Sequence, residues 1–177
     1  MRLEGINGES IGSTNNRLDV SSVMTRHVAQ DAIDGNAYMW NASVDLGADK
    51  NLIWLRNDSA SKILIIEWIT LSVAAAAVVE IFVGSGTTPT PGTAVTGVNT
   101  NIGHANSAVA TCYHTETSVD AGAGLTLFTS HWCGVTAKEV IDYDGVLRLG
   151  YLKEVAVNIV TDVAGSSCNI LGFFSDH

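Results

Sequence analysis

At 177 residues the chain is long enough for one sizeable domain with a buried core. Its 9 Lys and Arg against 18 Asp and Glu give a formal net charge of -9, which opposes binding to a phosphate backbone; nucleic acid is therefore not an expected partner. Cys112, Cys133 and Cys168 make an odd count at no framework spacing, so no disulfide scaffold is expected.

The opening MRLEGING carries neither the basic segment nor the apolar core of a secretory signal, and the longest apolar run falls short of a membrane span. The expectation is a chain made in the cytoplasm with no membrane partner. Two glycosylation sequons, Asn41-Ala-Ser43 and Asn57-Asp-Ser59, carry no weight without an export signal.

Residues 1–35 differ in character from the rest of the chain. Leu3, Ile6, Ile11, Leu18, Val20, Val23, Met24 and Val28 are spaced singly, and Gly5, Gly8, Gly12, Asn15 and Asn16 break any period. This reads as an extended N-terminal arm. One reading is a fraying terminus; the sharper one is that the separated apolar residues dock in sequence on a neighbouring subunit or a larger assembly.

Residues 36–177 read as one all-β domain, in which apolar runs alternate with turn signals. Asn36 to Ala42 forms a strand with Tyr38 and Trp40 on one face, and Asn51 to Asn57 forms the next. The polar turn after Asn57 leads into Lys62 to Leu71, KILIIEWITL, so these two strands are expected to make a hairpin. The KILIIEWITL strand organises the chain. Its alternating sets are both apolar, with Ile63, Ile65, Ile69 and Leu71 on one side and Leu64, Ile66 and Trp68 on the other. A strand apolar on both faces needs a second cover, which is either the arm or another copy of the chain.

Val78 to Val83 is a strand, and Gly84 to Gly92 is a loop in which Pro89 and Pro91 deny the backbone a ladder. A short edge strand lies within Thr93 to Gly103. Further strands are expected at Val109 to Glu116, Leu125 to Cys133, Lys138 to Tyr143, Val146 to Leu149, Val155 to Thr161 and Asn169 to Phe174. Asp144-Gly145 supplies a two-residue hairpin turn, since Gly accepts positive φ. About nine or ten strands at this spacing suit a β-sandwich, and a jelly roll fits the count better than an immunoglobulin fold.

Several motifs then resemble a family. Gly5 to Ser22 (GxxGxxIGSTNNRLDVSS), Asp34-Gly-Asn-Ala-Tyr38, Leu52 to Ser59, Tyr151 to Ile159 and Asn169 to Phe174 come in an order similar to that of small virion proteins of tailed phages. Many of these are head decoration (cement) or tail-associated proteins built as a jelly roll with an N-terminal arm. The resemblance implies a virion structural protein with no catalytic residue and no cofactor. It implies assembly on a virion surface, commonly as a homotrimer, with the major capsid protein or another virion component as partner. In that setting Leu3, Ile6, Ile11, Leu18, Val20 and Val23 of the arm are the expected partner-binding residues.

Sites of chemistry are few. Nucleotide-binding glycine motifs, H-E-x-x-H and the His-x-His of metal-dependent cupins are all missing. Cys112-x-His114 and His131-x-Cys133 each put two ligand types on one strand face, and a hairpin around Gly122 would bring them into a Cys2His2 zinc tetrahedron. The alternative, favoured here, is buried small thiols and satisfied strand histidines, with no metal. Glu139, Asp142 and Asp144 form an acidic cluster that suits Ca²⁺ or, more simply, a solvated loop. Trp40, Trp54, Trp68 and Trp132 raise a second hypothesis, a carbohydrate-binding or host-attachment module of a phage tail using loops such as Gly84 to Gly92. Each sits in an apolar strand pattern, which favours core or oligomer packing for Trp132 as for Trp40, Trp54 and Trp68.

Overall fold

A computed structural model describes residues 31–44, 50–85, 92–114, 124–135, 138–160 and 165–176, with the backbone of 13–14 and 17–18. The strands are β1 (Ser13–Thr14), β2 (Arg17–Leu18), β3 (Ala37–Val44), β4 (Lys50–Asn57), β5 (Lys62–Ser72), β6 (Ala77–Gly84), β7 (Thr93–Ala94), β8 (Val98–Asn99), β9 (Ala110–His114), β10 (Leu125–Cys133), β11 (Lys138–Leu149), β12 (Glu154–Ile159) and β13 (Ser166–Asp176). β1 and β2 pair with each other, Ser13 opposite Leu18, within the stretch expected to form an arm. All other strands belong to two antiparallel sheets, so the all-β sandwich expected from the sequence is what forms. One sheet runs β10-β6-β12-β4-β9-β7 and the other β11-β5-β13-β3-β8.

The pairing is nested. β3 pairs with β13, β4 with β12, β5 with β11 and β6 with β10, and within each run of four the strands alternate between sheets. The core lies between the sheets. Tyr38, Trp40, Leu55, Leu64, Ile66, Ile69, Leu71, Val79, Ile81, Val155, Val157, Ile159, Ile170 and Phe174 all join it. Tyr38 packs edge-on against Phe174 at 5.8 Å between ring centroids.

β5 is central, but its faces are not those expected. Leu64 and Ile66 point into the same core as Ile69 and Leu71, although the two pairs have opposite parity. The cause is a slip at Glu67. Against β13 the register passes from Leu171 opposite Trp68 to Gly172 opposite Ile66, leaving Glu67 without a counterpart. Against β11 it passes from Asp142 opposite Trp68 to Leu147 opposite Ile66, so four residues oppose one. An extra residue in one strand turns the following side chains to the other face. Gly172 stands at this level, where an added Cβ would come within 2.8 Å of the Ile65 carbonyl oxygen.

Two turn assignments are corrected. β4 and β5 lie in different sheets, so the segment after Asn57 crosses between layers instead of closing a hairpin. Asp144 and Gly145 do adopt positive φ, 46° and 72°. They close no hairpin, however, and form the tip of the loop-out within the continuous strand β11. Thr93 to Gly103 yields two short edge strands, one in each sheet.

Asn57 explains the crossing. It is 0% exposed. Its side-chain amide donates to the carbonyls of Lys62 at 2.9 Å and Leu149 at 2.8 Å, and its Oδ1 accepts the Ser59 N–H at 2.9 Å. Its backbone N–H donates to Lys153 O and its carbonyl accepts from Leu152, which holds Leu152 at φ 56°. The Asn57 sequon is thus structural. Asn57→Ala strands two carbonyls and an N–H in a buried place and should cost roughly 2–4 kcal/mol, read as a lower urea midpoint with the slope unchanged.

Candidate functional site

Both sheets carry apolar side chains outward as well as inward. On the five-stranded sheet, Ala37, Ile65 and Phe173 form a second buried cluster on the outer face, with Ala32 and Ile63 packed against it. Registers place Trp68, Leu171, Met39 and Val98 in one row across β5, β13, β3 and β8. Ala32 shortly precedes β3, so the chain enters the domain over this face. Of the expected arm residues, Leu3, Ile6, Ile11, Val20 and Val23 lie outside the described residues, and Leu18 is described only in its backbone.

A cavity of about 310 Å³ opens beside that cluster, with Ile65 and Phe173 among its apolar lining and Asp31, Glu67, Asp144, Arg148 and Ser175 as its polar lining. Glu67 is 5% exposed, because the slip in β5 turns it outward beneath the loop-out of β11. Arg148 donates from Nε to the Gly145 carbonyl at 3.1 Å, and Asp142 Oδ1 accepts the Asp144 N–H at 3.0 Å. These bonds brace the loop-out.

On the six-stranded sheet Trp54 faces outward, between the inward-pointing Ile53 and Leu55, yet is only 1% exposed. Tyr113 packs beside it at 6.0 Å, the Arg56 guanidinium lies 5.4 Å from its ring, and its Nε1 donates to the buried Glu154 carboxylate at 3.1 Å. Arg56 also pairs with Asp58 at 2.7 Å, and Asp58 in turn accepts from Thr111. The sequence does not reveal this network, because its members come from β4, β9 and β12. Trp40 is in the core, and Trp68 is half-buried on the outer face of its sheet. Trp132 differs from all three and corrects the packing expected of it, with 68% of its surface exposed on β10, where the strand turns it away from the core that Cys133 enters.

The Cys2His2 arrangement does not form. β9 pairs with β4 and β7, whereas β10 pairs with β6 at the far end of the sheet, so Cys112 and His114 are separated from His131 and Cys133 by three intervening strands. Cys112 and Cys133 both point into the core. Among the described residues no group of three His, Cys, Asp or Glu side chains converges on a metal-sized site. The acidic cluster also divides. Glu139 accepts the Cys133 thiol at 3.1 Å, whereas Asp142 and Asp144 are exposed on the opposite face of β11.

Comparison with protein-family models, curated proteins and solved structures returned no match.

The thiols show how the core treats charge. Burial pushes Cys133 up to about 12 from 9.0, with the Glu139 carboxylate adding to the shift, and burial also raises Cys112 and Cys168. An unfolded thiol ionises near 9.0 while the folded ones stay protonated, so the folded chain holds more protons above that pH. Stability therefore falls as pH climbs from about 9 toward about 12. Urea midpoints should be lower at about pH 10.5 than at about pH 8, and Cys133→Ala should narrow the gap. At the lower pH the native thiols should resist a disulfide reagent that labels the unfolded chain at once.

Proposed function

We infer that this chain is a non-enzymatic structural protein of a tailed-phage virion, a capsid decoration protein that self-associates and attaches to the particle through its N-terminal arm. The observation that carries the reading is the nested strand pairing. A jelly roll is a long hairpin rolled into two sheets, and the pairing of β3, β4, β5 and β6 with β13, β12, β11 and β10 supports that finer reading of the sandwich. Viral capsid and lectin domains are among the users of this architecture. A fold does not determine a function, so the outer surfaces must supply the rest.

Support comes from the face over which the arm joins the domain. Ala32 packs there on Ile65, Ala37 and Phe173, so a segment leaving this point starts on an apolar surface. Separated apolar residues such as Leu3, Ile6, Ile11, Leu18, Val20 and Val23 suit docking in extended form, where many small contacts offset the cost of ordering. The partner in this reading is the major capsid protein or another virion component. Self-association adds avidity, since several arms on one oligomer bind with a high effective concentration.

The second reading, a glycan-binding or host-attachment module, has Trp132 in its favour, because an exposed indole can stack on a sugar. Trp40 and Trp54 weigh against it, since their rings are buried. A glycan array with hits that vanish in Trp132→Ala would favour this second reading.

Deleting residues 1–28 should leave a folded oligomer that no longer co-sediments with particles assembled without the protein. Unchanged co-sedimentation would overturn the role of the arm.

A further inference from the structure

The two ends of the sandwich are finished differently. At one end the sheets stop at β7 and β8, each of two residues. At the other they stop at β10 and β11, of 9 and 12 residues, and no described strand pairs with the outer side of either. Short edge strands prevent further pairing, whereas long open ones invite it. β10 is broken by a register shift between Leu127 and Thr129, and β11 by its loop-out after Asp142. The segment Lys138–Asp142 of β11 is left regular and open. Exposed apolar residues collect around this end: Leu127, Phe128, Trp132, Val135, Val140 and Val146.

We propose that Lys138 to Asp142 of β11 is a homodimer edge, pairing antiparallel with the same segment of a second copy about a two-fold axis through Val140. This rests on the self-association in the reading above and names its surface. A two-fold axis normal to a sheet reverses strand direction and keeps each face on its own side, so outward residues can meet only outward residues. Lys138, Val140 and Asp142 are the outward, exposed set. Centred on Val140, the register sets Lys138 of each copy against Asp142 of the other, twice, with the two Val140 side chains in contact between them. Neither charge has an ion-pair partner among the described residues of its own chain. Centring on Glu139 would set Glu139 against itself, and like charges directly opposite are destabilising. Centring on Ile141 would set Val140 against Asp142 and run Lys138 into the loop-out. Charge complementarity and regular backbone therefore select one register and a second copy as occupant. The edge of β10 adds area at the same end, since Cys133 beside Trp132 is hydrogen-bonded to Glu139 beside Val140. The edge geometry favours a two-fold contact over the three-fold one that the resemblance implies.

The test uses the purified full chain, so its result does not depend on particle binding. Light scattering over a concentration series should give a dimer, or an even multiple, that dissociates on dilution. Lys138→Asp should raise the dissociation constant at least about tenfold, because two attractions become two repulsions, and Lys138→Asp with Asp142→Lys should restore it. Val140→Cys should form a disulfide dimer on mild oxidation, since the pair sits on the axis and the native cysteines are buried. Both charged positions are exposed and outside the core, and circular dichroism will verify that the variants fold. Because Asp142→Lys also removes the acceptor of the Asp144 N–H, Asp142→Asn, which keeps an acceptor there and loses only the charge, should by itself weaken the dimer. A monomer at every concentration, a trimer as the assembled species, or a dimer indifferent to Lys138→Asp would each overturn the proposal. Loss of particle binding with the dimer intact would instead count against the virion reading alone.

Discussion

The hydrogen bonds of Asn57 are the constraint on which the layering depends. A sandwich wired by crossovers must turn the chain from one sheet to the other without leaving buried backbone groups unpaired. Here a single amide does this for two crossovers at once. It holds Lys62 at the start of β5 and Leu149 at the end of β11, while its own backbone ties down the turn into β12. A hydrophobic residue could fill the space but would satisfy none of these groups. The energetic asymmetry is large, since a made hydrogen bond gains little over water and an unmade buried one costs its full desolvation.

The slip in β5 is a second constraint with wider reach. Without it, Leu64 and Ile66 would share a face with Trp68, and Ile69 and Leu71 would turn away from the core. The extra residue corrects the phase by putting Glu67 outward, and both neighbouring strands record the correction, β13 at Leu171 and Gly172 and β11 in its loop-out. A carboxylate placed there is expensive unless the surroundings accommodate it. Glu67 accordingly lies against the cavity beside Arg148, under the point where the chain enters the domain. The irregularity that completes the core thus also shapes the outer face.

How much of this is legible in the residues alone depends on what is local. β10 is readable at its true bounds because an apolar run between Gly124 and Gly134 needs no partner to declare itself. The positive φ at Asp144 and Gly145 is legible for the same reason, yet its consequence is not, because only the pairing with β5 decides whether such a turn ends a strand or bulges from it. The hairpin expected of β4 and β5 fails on the same ground, for a short polar segment suits a hairpin or a layer change equally until Asn57 finds its acceptors. Trp54 is legible as buried but not as outward-facing, since the register shift beside Leu52 changes which side the strand presents. The separation of Cys112 from Cys133 is wholly a matter of strand order, which no spacing rule contains.

The outer surfaces of the fold divide into two regions with different physics. The outer face of the five-stranded sheet is apolar near β3 and already carries a piece of the chain, Ala32, so what binds there gains by burial. The β11 edge adds to its exposed valines a directional ladder and a charge pattern with its own register. Burial is tolerant of sequence and suits an extended arm; a ladder is strict about partner and suits self-recognition. At a net charge of -9 two copies repel at a distance, so contact between them must be won locally. Lys138 is the cation the edge supplies for it, and Asp142, four residues along the same face, is the anion its symmetry mate presents.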